Sequence, residues 1–343
     1  EKKDRGQAMK AMCEGAAAVT LRLFKQGKID GVIGMGGTGG TTVVASAMRA
    51  LPVGFPKVCV STAASGDTSP YVGTKDIVLF PSIVDVAGIN RISTIIISRA
   101  AGAVCGMVET EIKKSAGEKP VIAASMFGNT TACVNRCREI LSAAGFEVMV
   151  FHATGTGGKT MENLVDEGLV DAVLDITTTE WADTICGGVF DAGPQRLDAP
   201  GRAGIPHLIA PGCLDMCNFG PRGTVPEKYK DRLFYEWNPS VTLMRTTPEE
   251  NRRMGEIFAE KANAAKGPVY FLIPLKGVSI LDSIDETGKP QLFWNPEADA
   301  AFLAGLKAKL KSSIAVEEMN VNINDTAFAD RASAVLLRML KKG

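Results

Sequence analysis

The sequence predicts an α/β protein of two tandem units, each built on a parallel sheet, and three observations predict it. From Val121 to Leu174, apolar strands and helices alternate as β-α-β-α-β, the pattern of a parallel sheet with helical crossovers. The strand Gly31-Val32-Ile33-Gly34 runs into Gly34-Met35-Gly36-Gly37-Thr38-Gly39-Gly40-Thr41-Thr42 and then into a helical pattern stopped by Leu51-Pro52. Strand, glycine turn and helix together place backbone N–H groups and a helix N-terminus around an anion. The third observation is an internal repeat. Gly27-Lys28-Ile29-Asp30-Gly31-Val32-Ile33-Gly34 matches Gly168-Leu169-Val170-Asp171-Ala172-Val173-Leu174-Asp175.

Taken in order, Arg5 to Gln26 is an amphipathic helix with Ala8, Met12, Ala16, Val19 and Leu23 at helical spacing, closed by Gly27. Ile29 to Ile33 is a buried strand, and the helix after the glycine turn reaches Ala50. Lys57 to Val60 is a second strand, opening onto Ser61-Thr62-Ala63-Ala64-Ser65-Gly66-Asp67. A small polar loop of this kind suits a site at the carboxyl end of a parallel strand. Asp76 to Phe80 is a third strand, and a long buried helix from Val84 to Lys114 closes the unit. Because this unit opens on a helix where a doubly wound sheet opens on a strand, its N-terminal part is expected to be missing. Ser115 to Pro120 is the expected linker, separating domains at 1–114 and 119–343.

In the second unit, Val121–Ser125, Glu147–Phe151 and Val170–Leu174 are strands, with a helix over Thr131–Ala143 and a short one ending at Gly168. His207–Ala210 and Pro268–Pro274 are further buried strands, and Ala315–Asn320 is another. Asn218–Pro226 reads as a glycine- and proline-rich loop. Arg245–Glu250 caps an expected helix running to Ala265, and helices are expected over Ala298–Leu310 and over Asp325–Leu340 behind an Asp cap.

Composition narrows the function. Lys plus Arg and Asp plus Glu are both 38 in 343 residues, and aromatic residues make up 6%. A net charge of zero offers no electrostatic footprint for nucleic acid or a membrane surface, and so few aromatics argue against a base-stacking platform. Glu1-Lys2-Lys3-Asp4-Arg5 is followed by no apolar run, so a secretory leader is not expected and the compartment reads as cytoplasmic. The apolar stretch from Ile83 to Val108 carries Asp85, Asn90, Arg91 and Arg99 and reads as a buried helix, not a span. Eight cysteines are too sparse for a disulfide framework. Cys133 with Cys137 and Cys213 with Cys217 have the thiols for zinc but not the usual spacing, and buried reduced thiols are the simpler reading.

Two nucleotide motifs are incomplete. Gly34-x-Gly36-x-x-Gly39 matches a dinucleotide fingerprint, yet the next strand ends in Ser61-Thr62 where an acid for the ribose is needed, which disfavours an NAD(P)-dependent oxidoreductase. Ala153-Thr154-Gly155-Thr156-Gly157-Gly158-Lys159-Thr160 is similar to a Walker A sequence with alanine for its first glycine, and Asp175 stands where a Walker B acid stands. Its following helix is short for a P-loop ATPase.

Residues 31–41, Ser61–Asp67, Tyr71-Val72-Gly73-Thr74, Phe151–Glu162, Leu174–Glu180, Leu214–Pro221, Leu243–Asn251 and Asn322–Ala329 together carry a resemblance over essentially the whole chain. The sequence resembles the ATP-binding family that includes the tomato tobamovirus resistance protein and many uncharacterised bacterial and fungal proteins. The resemblance implies two tandem Rossmann-like parallel-sheet domains with a cleft between them, ATP as ligand, and a homodimer. It also implies a protein partner, as for the plant member, which inhibits a viral replication protein. In that family the position of Lys159 is often arginine, which weakens the Walker A reading.

On these grounds Gly34, Gly36, Gly37, Thr38, Gly39, Gly40 and Thr41 are candidate phosphate binders, with Ser61, Thr62, Ser65 and Gly66 continuing a polar wall. Thr154, Gly155, Thr156, Gly157 and Gly158 form a second candidate loop, and Arg245 is a candidate for neutralising phosphate charge. Asp67, Asp175 and Glu180 are candidate Mg²⁺ ligands or bases, Asp67 foremost for the metal, and His152 is a candidate general base. Two functions fit: a nucleotide-binding module without chemistry of its own, and an ATP-dependent enzyme, kinase- or ligase-like or an ATPase, acting on a small molecule.

Overall fold

In the computed structural model, which describes residues 4–112 and 117–341, the chain divides into two units, Glu1–Ala116 and Gly117–Gly343. Residues 113–116, which include part of the expected linker, lie outside the described residues. In the first unit the Asp4 carboxylate accepts hydrogen bonds from the amides of Gly6 and Gln7 and starts α1 (Arg5–Lys25). There follow β1 (Val32–Gly36), α2 (Thr38–Arg49), β2 (Lys57–Ser61), α3 (Ser69–Val72), β3 (Val78–Pro81) and α4 (Arg91–Glu109). The three strands form a parallel sheet in the order β1-β2-β3.

Side-chain alternation along β2 assigns its two faces. Val58 and Val60 pack with Ala100 and Val104 of α4. Ser61 faces α2, where its hydroxyl meets that of Thr41 at 2.6 Å. Gly34 lets α2 approach β1, because a Cβ there would lie 2.5 Å from Val44 Cγ1.

The last helix of this unit differs from expectation in two ways. It begins at Arg91, not Val84, because the Asn90 side chain caps the amides of Ile92 and Ser93 while Ser93 Oγ accepts from the Asn90 amide. It is also not a buried helix, since only Ser93, Ala100 and Val104 are fully covered. By length and composition alone α4 is apolar enough to cross a membrane, which for one helix is weak evidence of a membrane.

The second unit contains β4 (Val121–Met126), α5 (Thr131–Ala143), β5 (Glu147–His152), α6 (Thr156–Asp166), β6 (Ala172–Thr177), α7 (Glu180–Cys186), α8 (Ala199–Ala203) and β7 (His207–Gly212). It continues with β8 (Met216–Phe219), β9 (Phe234–Asn238), β10 (Val241–Arg245), α9 (Pro248–Ala264), β11 (Val269–Pro274), α10 (Pro296–Lys309), β12 (Ala315–Met319) and α11 (Thr326–Leu340). Six strands form one parallel sheet in the order β12-β11-β7-β6-β4-β5. Strand order therefore reverses once, between β4 and β6, which is not the 3-2-1-4-5-6 order of a dinucleotide-binding sheet.

Consecutive residues of these strands face opposite helical layers. Leu174 and Leu208 pack with α5 and α11, whereas Val173 packs with α6 and Ile209 with α9 and α10. β8, β10 and β9 form a separate antiparallel sheet in a stretch that reads from sequence as irregular. Asn218 and Phe219 belong to β8 and not to a loop. α6 spans 11 residues, longer than its sequence suggests.

Candidate functional site

A cleft of about 720 Å³ opens at the carboxyl ends of the unit-1 strands, and every residue lining it comes from that unit. Gly37, Thr38, Gly39 and Gly40 at the start of α2 form one wall, and Thr62 and Ser65 after β2 form another. Ser82, Ile83, Val84 and Asp85 after β3 form a third, and Arg5 reaches in from α1. The first amides of a helix have no intrahelical acceptor, and here the first helical bond runs from the Thr41 amide to the Gly37 carbonyl. No side chain caps this end. Asp4, Asn90, Thr247 and Asn295 cap α1, α4, α9 and α10, whereas α5 and α11, the latter despite the expected Asp325 cap, share with α2 the lack of a side-chain cap.

The glycines of this loop separate into two kinds. Gly36 is needed by the fold, because a Cβ there would stand 2.7 Å from Gly40 Cα. Gly37 is not: its backbone is ordinary (φ −72°, ψ −170°), and a Cβ would meet Thr62 Oγ1 at 3.7 Å and Asp85 Oδ1 at 4.0 Å. Gly39 and Gly40 likewise would bring a Cβ no closer than 3.7 Å to any atom. Glycine in a helix costs about 0.5–1 kcal/mol relative to alanine, and among the described residues no packing contact asks for it at these two positions.

Other expected residues take structural roles. Gly34 admits Val44, and Thr41 and Ser61 hold α2 to β2, with Thr41 Oγ1 also donating to the Gly36 carbonyl. The Gly66 amide closes the turn on Ala63, and Gly66 does not line the cleft. Asp67 is exposed and outside the cleft lining, its carboxylate accepting from the amide and hydroxyl of Ser69, which lowers its pKa. The carboxylate in the cleft is Asp85. Sequence reasoning placed it inside a helix, although its position after a parallel strand is the signal that finds it. Arg5 has no such signal.

The second glycine loop is already filled. The Glu180 carboxylate accepts from the amides of Gly155 (2.8 Å) and Gly158 (3.0 Å), so an internal anion sits where a phosphate was expected. A Cβ on Gly158 would collide with that carboxylate, one on Gly157 with the His152 carbonyl, and one on Gly155 would lie 2.9 Å from the Asp191 carbonyl. Thr156 begins α6, and the Thr154 hydroxyl donates to the His152 carbonyl. Glu180 is held in turn by Arg196 Nε at 2.7 Å. The same fully buried guanidinium contacts both oxygens of Asp175 and one of Glu162, and His207 Nε2 lies 2.9 Å from Asp175.

Burial pushes the Asp175 carboxyl up, but Arg196 and His207 prevail and hold it well below the usual carboxylate range. Burial raises Glu162 and Glu180. Asp175 and Glu180, read as cleft acids, are thus members of a buried ion network without access to a substrate.

Arg245 is buried too. It donates to the Phe293 carbonyl at 2.7 Å and to Thr246 Oγ1 at 3.0 Å, and pairs with Asp299 at 3.3 Å. Burial and the neighbouring Asp282 push Asp215, beside this group, up to about 7. His152 is exposed at the end of β5, its ring edge-on to Phe127 with centroids 5.3 Å apart. Cys133, Cys137, Cys213 and Cys217 are all buried.

Comparison with known proteins agrees along the whole chain. Residues 1–113 match the N-terminal domain of the uncharacterised protein family UPF0261, and residues 119–340 match its C-terminal domain. A UPF0261 protein of Clostridium tetani is 51% identical over 343 residues, covering 100% of this chain and 84% of that protein. One from Mesorhizobium japonicum is 46% identical over 337 residues, covering 97% of this chain and 82% of its own. The ToMV resistance protein Tm-1(GCR237) of Solanum lycopersicum is 43% identical over 333 residues, which are 95% of this chain and 44% of that longer protein. The chain belongs to the uncharacterised protein family UPF0261.

Proposed function

We propose that unit 1 binds a nucleotide, ATP with Mg²⁺, by placing its phosphates at the N-terminus of α2. The observation that carries this reading is the uncapped helix end on an open cleft, where Gly37, Gly39 and Gly40 answer no need of the fold. A phosphate accepts hydrogen bonds from first-turn amides and meets the positive end of the helix dipole. Charge-assisted bonds of this kind contribute about 1.5–3 kcal/mol each. Arg5 supplies a cation, and the Thr62, Ser65 and Ser82 hydroxyls supply further donors. Asp85 takes the place of Asp67 as the carboxylate for Mg²⁺. In this reading both units are Rossmann-like in the broad sense of a parallel sheet with its site at the carboxyl ends of its strands.

A binding module is favoured over an ATP-dependent enzyme by what the cleft wall lacks. Among the described residues lining it, Asp85 is the sole carboxylate, with no second acid or histidine to share proton transfer. Sustained ATP turnover by the purified protein would argue for the enzyme instead.

Gly39→Ala and Gly40→Ala test the assignment, because they separate fold from ligand. Each substitution stabilises the free protein by up to about 1 kcal/mol through helix propensity. Each also weakens Mg²⁺-ATP binding about tenfold in calorimetric titration, since a methyl group then stands where the phosphates approach. Higher melting temperature with unchanged affinity would remove the phosphates from this end of α2.

A further inference from the structure

Ile83 is anomalous on two counts. Its φ is +65°, a conformation that β-branched residues almost never adopt. Its side chain is 73% exposed at the edge of the cleft. Three hydrogen bonds impose the conformation: the Val84 amide donates to the Ser82 carbonyl at 2.7 Å, Ser82 Oγ donates to the Val84 carbonyl at 2.7 Å, and the Ser82 amide donates to the Ser61 carbonyl at 3.1 Å. The first of these closes a tight three-residue turn with Ile83 at its centre, the rare and strained form of that turn.

Asparagine or glycine relieves such a turn at little cost, and a polar residue suits its exposure. The space between this loop and α4 has no room for the side chain, being only about 10 Å³ and already walled by Val84, Val86, Ile96 and Ile97. Among the described residues, strain and exposed apolar surface are therefore both uncompensated, at the lip of a cleft whose opposite wall is the amide end of α2. Local strain of this kind clusters at ligand clamps.

We propose that Ile83 is the specificity-determining lip of the cleft, held outward so that its aliphatic side chain packs on the apolar or aromatic body of a ligand whose anionic end sits on α2. The cleft then selects a phosphate carrying an organic body over a bare phosphate chain. This inference rests on the nucleotide reading above.

Three variants of the full chain, Ile83→Gly, Ile83→Ala and Ile83→Leu, are titrated with Mg²⁺-ATP and with Mg²⁺-tripolyphosphate, and their melting temperatures are measured. Ile83→Gly relieves the turn and raises the melting temperature by about 2 °C. Ile83→Gly and Ile83→Ala weaken ATP about tenfold through lost apolar contact and leave tripolyphosphate unchanged, while Ile83→Leu retains ATP affinity. ATP bound equally by wild type and all three variants would overturn the lip and leave the nucleotide reading standing. Equal weakening of ATP and tripolyphosphate would also overturn it, because the substitution then acts on the phosphate end. Failure of wild type to bind either ligand would overturn the nucleotide reading and the lip together.

Discussion

Asp183 shows how one buried side chain couples fold to pH. It accepts from Asn218 Nδ2 at 2.7 Å and from the Phe190 amide at 3.0 Å, yet burial outweighs these bonds and raises its pKa from 3.8 to about 8. The folded state therefore keeps a proton that the unfolded chain has released. The stability this contributes is full below pH 3.8 and is lost as pH rises toward about 8. Urea midpoints of wild type should fall across that window, and Asp183→Asn, which mimics the protonated acid, should flatten the fall. An unaltered slope in the variant would place the titration elsewhere. Nothing in Trp181-Ala182-Asp183-Thr184 marks this residue, because its strongest partner, Asn218, comes from a strand far along the chain.

At the scale of elements, α2 and α6 begin with glycine loops that look alike in sequence and differ in what fills them. The α6 loop receives Glu180, which lies on α7 and is fixed by Arg196. The α2 loop receives no capping side chain among the described residues. The pair was legible as strand, glycine turn and helix, but its division into one loop filled by a carboxylate and one left open was not, since that depends on a side chain one strand further on. The division makes a prediction about α6. Gly158→Ala forces a methyl group against a carboxylate that two amides and a guanidinium hold, which should destabilise unit 2 by about 1–3 kcal/mol. Urea unfolding measures it, and a cost below about 0.5 kcal/mol would mean that the Glu180 seat yields easily. The Ser82–Asp85 segment is hidden in the sequence for a related reason: its apolar run continues toward α4, and only the Asn90–Ser93 capping box separates the two.

On the scale of the whole chain, the parallel strands were the most legible feature. The four inner strands of the large sheet hold buried runs, such as Ile122-Ala123-Ala124 and Val173-Leu174, and burial on both faces writes itself into composition, while the edge strands β5 and β12 are only partly buried. The antiparallel sheet was not legible. Phe234–Asn238 is mostly exposed and Met216–Phe219 pairs with Val241–Arg245 across more than twenty intervening residues, so no local period announces it. Strand order in the large sheet was likewise beyond the sequence, being a property of how crossovers close. The loops after β1 and β2 at one end of the unit-1 sheet were legible in the sequence, and the loop after β3 was not. The phosphate site proposed at the start of α2 lies at that end. A calorimetric titration of Mg²⁺-ATP into wild type and Gly37→Asp tests it most directly, because a Cβ at position 37 points between Thr62 and Asp85 without a clash, so a carboxylate there brings charge repulsion and not misfolding. Binding by wild type, and its loss in a variant that melts within about 2 °C of it, is the predicted result. Equal binding by both proteins, or none by wild type, would contradict a phosphate site at the start of α2.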